Sequence, residues 1–292
     1  MMEPRVRLPD IRTLVFAGGG NRCWWQAGVL ARLSERGAGL PGTLVGTSAG
    51  AAIAAACLTD GPEAALRACR RLYAANTRML DWRGLGRLRL KFAHQHIYPA
   101  WVGSFVHEGN FATLKHAPCT LLVAVTRPAV VLGLGGSIAA GTLAYLLDKK
   151  VYHSIHPRLP KFLGLRQEFL HLQQCGTARE AQTVLCAAAA APPLMHSVRL
   201  AGKWAFDGGY TDNAPIPPAS TADKASTLVL LTRHYPNRPA VFEWQGRAYW
   251  QPSRPVPVST WSCTHETTVE DAFALGYQDA ADTLDRHAIA LR

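Results

Sequence analysis

The sequence predicts an α/β fold, a mostly parallel central sheet covered by helices on both faces. Three observations carry that prediction. Short apolar runs of strand length alternate with longer stretches of helical character, the pattern of a sheet wound with crossover helices. Two of the junctions are rich in glycine, Gly18-Gly19-Gly20 and Gly46-Thr47-Ser48-Ala49-Gly50, where a strand can turn sharply into a helix. At 292 residues and 48% hydrophobic, the chain can also bury the substantial core that such a sheet demands.

Taken in order, residues 13–17 contain Leu14-Val15-Phe16-Ala17 and read as a buried strand, followed by the first glycine loop. Residues 22–36 read as a helix, with Trp25, Val29, Leu30 and Leu33 apolar. Leu44 and Val45 form a short strand into the second glycine junction, and the alanine-rich stretch 49–58 is the helix leaving it. A further helix is expected over 62–75 and a buried strand over 120–125. Near the C-terminus, Val269, Ala272, Phe273, Leu275, Ala280, Ala281 and Leu284 mark the packed face of a structural helix, with Glu270, Asp271, Asp279 and Asp282 on its other side. Residues 244–261 include Pro252, Pro255 and Pro257 and read as irregular. A functional site in this architecture belongs at the carboxyl ends of the strands.

The second glycine junction is a G-x-S-x-G pattern, which makes Ser48 the candidate nucleophile, with Gly46 and Gly50 allowing the turn. Ser48 falls at a helix N-terminus, where free N–H groups and the helix dipole favour developing negative charge. In the first glycine loop, the amides of Gly18, Gly19 and Gly20 can face a reacting oxygen, with Ala49 as a further donor. Together they are the candidate oxyanion hole. Arg22 is expected to anchor that loop. Asp207-Gly208-Gly209 alone is weak evidence, since Asp-Gly is a common turn. Trp24 and Trp25 suit a pocket wall, an interface or the core.

In this order the three motifs resemble the patatin-like phospholipase family, over residues 14–284. The family's glycine-rich loop with its arginine is similar to Gly18-Gly19-Gly20-Asn21-Arg22, its elbow to Gly46-Thr47-Ser48-Ala49-Gly50, and its Asp-Gly-Gly motif to Asp207-Gly208-Gly209. Asp212-Asn213-Ala214-Pro215-Ile216 resembles the family's continuation, and Ala190-Ala191-Pro192-Pro193-Leu194 and Gly202-Lys203-Trp204-Ala205-Phe206 its lead-in. Cys23 stands where the family has glycine after the arginine, which bears on the fine geometry of the loop. The resemblance implies a lipid acyl hydrolase acting on phospholipid or related acyl esters. Ser48 would be its nucleophile and Asp207 its base, a dyad without an intervening histidine. It implies no metal and no cofactor. The same dyad would serve an acyltransferase or a thioesterase, and a non-catalytic lipid-binding module is the reading from another class.

Residues 128–147 carry no charge and are long enough to cross a bilayer. They lie between Ser48 and Asp207, however, and a single span would put the two on opposite sides of the membrane. Gly133, Gly135, Gly136 and Gly141 also argue against one continuous helix. The stretch therefore reads as an apolar insertion within a single domain over 1–292. The following residues bring Lys149, Lys150, Arg158, Lys161 and Arg166, a basic flank suited to anionic headgroups, so that 128–172 either associates with a membrane or lines an acyl pocket.

The formal charge of +11 favours acidic partners or a basic solvated surface. No recognition motif accompanies it, and no specific nucleic acid is expected as partner. Gly18-x-Gly20-x-x-Cys23 fails the third glycine of a dinucleotide fingerprint, and no phosphate-binding P-loop is present. The seven cysteines contain no C-x-x-C, which argues against zinc ribbons and thioredoxin-like sites and suits a reducing compartment. The first ten residues carry Arg5 and Arg7 without an apolar stretch, so no secretory signal is read there. The expected location is cytoplasmic, with peripheral contact at a membrane. His94, His96, His107 and His116 could supply a triad or a metal site, but their spacing singles out none, and they read as loop residues.

Overall fold

Strand residues that are apolar on both faces build the centre of this molecule. Val15, Phe16, Leu44 and Val45 are wholly buried, and successive side chains point to opposite sides of the sheet. Leu14, Phe16 and Leu44 enter a large core, while Val15 and Val45 enter a smaller one with Val229, Ala214 and Ile155. The computed structural model describes residues 5–81, 91–150, 155–157, 159–218 and 221–291.

In chain order the elements are β1 (Val6–Arg7), β2 (Thr13–Phe16), α1 (Trp24–Glu35), β3 (Thr43–Thr47), α2 (Ser48–Cys57), α3 (Pro62–Ala74), β4 (Leu80–Asp81), β5 (Lys91–Phe92), α4 (His94–Gly103), α5 (Phe111–Lys115), β6 (Thr120–Arg127) and α6 (Gly133–Lys150). There follow α7 (Leu159–Phe162), β7 (Arg166–His171), α8 (Ala178–Ala188), β8 (Val198–Leu200), β9 (Lys203–Asp207), α9 (Thr221–Ala225), β10 (Thr227–Leu230), β11 (Val241–Trp244), β12 (Arg247–Trp250), α10 (Val269–Asp285) and β13 (Ile289–Ala290). The central run β12-β10-β2-β3-β6 is parallel, and β11, β7, β9 and β8 add antiparallel pairs.

One detail of register brings distant sequence together. β3 pairs with β6 up to Thr47↔Ala124, and β9 pairs with it at Val125↔Asp207. β7 pairs with β6 across both regions, so β3 and β9 must share the opposite edge. Thr47 and Asp207 therefore follow one another along a single edge of β6.

Helices α1 and α10 cross at close range because each has glycine at the contact. A Cβ at Gly28 would meet the Phe273 carbonyl, and one at Gly276 would meet the Trp25 carbonyl. The expected polar side of α10 is corrected at Asp279, which is buried and accepts a 2.7 Å hydrogen bond from Trp25 Nε1. Trp25 itself is core, edge-on to Trp250.

Three further expectations need correction. The region read as irregular opens with a hairpin instead, β11 and β12 joined through Gln245 and Gly246, both at positive φ, the turn that matches strand twist. His94 and His96 lie on α4, not in a loop. The four glycines do not interrupt α6, whose Leu134 and Ile138 pack against Ala129, Leu165, Phe206 and Tyr210, so tertiary packing outweighs helix propensity.

Arg127 and Arg166 are register partners, so the segment that leaves the sheet is 128–165, and Arg166–His171 returns as a sheet strand. The side chains of Lys149 and Lys150, and all of Arg158, lie outside the described residues. Among the described residues no helix is long and apolar enough to cross a membrane.

Candidate active site

The turn out of β3 is tight because the residues that flank it have no room for side chains. A Cβ at Gly46 would lie 2.5 Å from Ala51 Cα, and one at Gly50 would lie 2.6 Å from the Ala17 carbonyl oxygen. Between them Ser48 adopts φ 53°, a left-handed conformation that non-glycine residues rarely take and that lifts its hydroxyl off the strand. It is the first residue of α2.

β9 delivers Asp207 to the same place. Its N–H donates to the Ala190 carbonyl (3.0 Å), and its carbonyl accepts from Thr126 Oγ1 (2.9 Å). With the backbone held on both sides, the carboxylate has a fixed direction. Oδ1 accepts the Gly209 N–H at 2.7 Å, and Oδ2 accepts the Ser48 hydroxyl at 2.8 Å. Gly208 is required by packing, since a Cβ there would collide with Thr47 Oγ1 and the Ala124 carbonyl. Burial pushes the Asp207 carboxyl up to about 6, against the opposing pull of the Gly209 amide and the Ser48 hydroxyl.

The first glycine loop closes over the pair. Gly18 N–H donates to the Asn213 carbonyl at 2.7 Å, so this amide is already engaged, which leaves Gly19, Gly20 and Ala49 as the amides able to face an oxyanion. Thr232 Oγ1 donates to the Gly18 carbonyl at 2.7 Å. Asn21 ties the loop to a distant one by donating to the carbonyls of Ser259 (2.8 Å) and Ser262 (2.6 Å). Arg22 Nε reaches back to the Gly19 carbonyl at 3.4 Å. Cys23 is buried, donates weakly to the Ala17 carbonyl, and has its thiol pushed up by burial.

Two hollows meet at Ser48 and Asp207. One, with a cavity of about 60 Å³, borders Gly20, Ser48 and Ala49 and is walled by Trp24, Ile53, Tyr98, Trp101 and Met195. The other, with a cavity of about 250 Å³, borders Asp207 and is walled by Tyr145 and Leu146 of α6 together with Pro193 and Tyr210. Leu194 and Trp261 line both. Trp24 is thus a pocket residue, whereas Trp25 is core.

Among the described residues no histidine contacts the Ser48 hydroxyl or the Asp207 carboxylate. His94 lines the aromatic hollow, but its Nδ1 is buried without a partner and burial lowers its pKa. His107 lies beside Asp60, and His116 follows α5. No group of three histidine, cysteine, aspartate or glutamate side chains able to hold a metal occurs among the described residues.

Sequence reasoning missed Thr126, Tyr145, Trp261 and His156. His156 Nδ1 meets Asp212 Oδ2 at 2.8 Å, its Nε2 meets Tyr249 Oη at 2.9 Å, and its ring stacks on Trp244. Asp212 in turn accepts the Ala214 N–H at 3.0 Å. A lone histidine inside an insertion gives no signal for such a role.

Comparison with known proteins identifies the family. Among solved structures, VipD from Legionella pneumophila is similar at 13% identity, with a TM-score of 0.47, over 96% of this chain and 67% of that one. No curated protein matches the sequence. The model of the patatin-like phospholipases matches residues 14–220, from the first strand of the central sheet past the Asp-Gly-Gly loop, and members of that family are lipid hydrolases. The chain belongs to the patatin-like phospholipase family.

Proposed function

We propose that this protein hydrolyses acyl esters of lipids, phospholipids foremost, through an acyl-enzyme on Ser48 with Asp207 as the base. The observation that carries the reading is the 2.8 Å hydrogen bond from the Ser48 hydroxyl to Asp207 Oδ2, beside a glycine loop whose Gly19 and Gly20 amides donate to no backbone carbonyl among the described residues. Ser48 Oγ bonds to the acyl carbonyl carbon while its proton passes to Asp207. The carbonyl oxygen, now negative, is held by the amides of Gly19, Gly20 and Ala49. The tetrahedral intermediate collapses, the ester C–O bond breaks, and the leaving alcohol takes the proton from Asp207. Water then adds to the acyl-enzyme and gives its proton to Asp207, which returns it to Ser48 as the fatty acid departs.

An exposed aspartate is a poor base for a serine hydroxyl. The burial that raises Asp207 to about 6 narrows that mismatch, and the left-handed Ser48 at a helix N-terminus supports the developing charge. Both hollows have mainly apolar walls that suit an acyl chain, and the one beneath α6 is the roomier.

Fatty-acid release from mixed phosphatidylglycerol–phosphatidylcholine vesicles, compared between the wild-type protein and Ser48→Ala, tests the proposal. Release should disappear in the variant while it stays cooperatively folded, with at most a modest drop in melting temperature from the partner lost by Asp207 Oδ2. Undiminished release by folded Ser48→Ala would refute the nucleophile. A parallel acyl-thioester assay separates thioesterase activity from ester hydrolysis.

A further inference from the structure

The apolar surface of this molecule is concentrated in one place. Of the ten large apolar side chains that are exposed among the described residues, eight lie between 130 and 163, and a ninth, Trp261, borders the active-site cleft. The most exposed are Val130 (91%), Val131 (96%) and Phe162 (84%). They come from the two ends of the insertion, which the register holds side by side. Arg127 pairs with Arg166, and a Cβ at Gly164 would lie 3.3 Å from that of Ala129. Val130 and Val131 therefore share one tip with Phe162 and Leu163.

We infer that this tip is the protein's docking surface for an anionic lipid bilayer. Clustered apolar side chains that stand almost fully in water mark a contact surface, and at a protruding tip they suit insertion into an acyl-chain layer. The charge of the segment selects the same occupant. Within 128–166 the sequence has Lys149, Lys150, Arg158, Lys161 and Arg166 against the single acid Asp148, and Lys161 and Arg166 are exposed. The tip is also continuous with the cleft. Beyond it α6 runs back across the Asp-Gly-Gly loop, where Ser137 accepts the Ala129 N–H (2.9 Å), Leu134 and Ile138 pack on Phe206 and Tyr210, and Tyr145 and Leu146 wall the hollow that borders Asp207. The exposed Leu143, Leu146 and Leu147 carry the apolar surface on along α6 towards that hollow. The choice of a lipid as the molecule delivered there rests on the acyl-hydrolase reading, but the docking test does not.

The experiment is sedimentation of the Ser48→Ala protein with phosphatidylcholine vesicles and with phosphatidylcholine–phosphatidylglycerol vesicles, so that hydrolysis plays no part. Binding should favour the anionic vesicles. Adding Val131→Asp and Phe162→Asp should weaken it on the order of tenfold or more, and Lys161→Glu should weaken it on the anionic vesicles alone. With Ser48 intact, the Val131→Asp/Phe162→Asp protein should turn over a soluble short-chain ester at the wild-type rate, which shows that its fold and cleft are unaffected. Vesicle binding unchanged by the two aspartates overturns the inference. So does a protein that ignores vesicles but forms a concentration-dependent dimer that the two aspartates abolish, because the occupant is then a second copy. Failure of the wild-type protein on every ester, with vesicle binding that follows the tip substitutions, sinks the acyl-hydrolase reading and leaves the docking surface standing.

Discussion

Gly18 donates its amide proton to the Asn213 carbonyl across 2.7 Å, joining the glycine loop after β2 to the loop that follows β9. The donors proposed for the oxyanion and the aspartate proposed as base are therefore parts of one hydrogen-bonded unit. Gln26 extends it by donating to the carbonyls of Ala17 (3.0 Å) and Leu230 (2.9 Å). A displacement of either loop would disturb both groups, an arrangement suited to chemistry that needs donors already in place.

Replacing Asp207 by Asn should stabilise the protein while disabling it. The native carboxyl is raised to about 6 from an ordinary 3.8 by burial, so the folded state binds its proton more tightly than the unfolded chain does. That contribution to stability is fully present below about pH 3.8 and lost as pH rises through about 6. Asn keeps the shape without the buried charge, and the variant should gain up to about 3 kcal/mol at pH 8 and little at pH 4. Urea unfolding at the two pH values measures this, and turnover should fall at least about a hundredfold. Equal stabilisation at both pH values would contradict a buried charge as the cause.

The pH dependence of kcat/KM should have an acidic limb set by the same group. Asp207 accepts a proton only when ionised, so activity on a soluble ester should fall about tenfold per pH unit below about 6 and be level above it. A limb near pH 4 would show that burial does not shift the carboxylate in solution.

His156 spans the insertion and the Asp-Gly-Gly loop through its contacts with Asp212 and Tyr249. His156→Leu leaves the buried Asp212 Oδ2 without its partner, at a cost of about 1–3 kcal/mol. The melting temperature should drop, and amide exchange should quicken around residues 212–216. His156→Gln, which can still donate to Asp212, should recover most of the loss. Equal melting temperatures for all three proteins would remove His156 from the support of the loop.

Much of this architecture was legible because local and tertiary signals agree. Apolar runs followed by glycine locate β2 and β3, and the helix propensity of the alanine-rich stretch after Ser48 agrees with the buried helix α2. Prolines at 252, 255 and 257 drew the preceding hairpin into an irregular reading, although Gln245-Gly246 carries the turn. α6 departs from the expectation because glycine's cost per residue is smaller than the gain from packing on Phe206 and Tyr210. Asp279 looks like a surface acid until Trp25 is found opposite it.

The meeting of Ser48 with Asp207 has a different status. Their 159-residue separation contains no periodicity that brings them together. It follows from β9 taking the edge of β6 that β3 leaves at Thr47, a matter of sheet register that the motifs imply by resemblance alone.

Because Arg127 and Arg166 face each other across a strand pair, the insertion between them begins and ends about 5 Å apart. Closing the junction thus makes little demand on the length of what is mounted there. Each doubling of a flexible connection at such a junction costs only about 0.6 kcal/mol in closure entropy. An evolutionary lineage, or a protein engineer, can vary the outer tip at Val130, Val131, Phe162 and Leu163 while Leu134, Ile138, Ile155 and His156 keep their contacts with the strands, and β6 and β7 then serve as a socket into which new surfaces can be fitted.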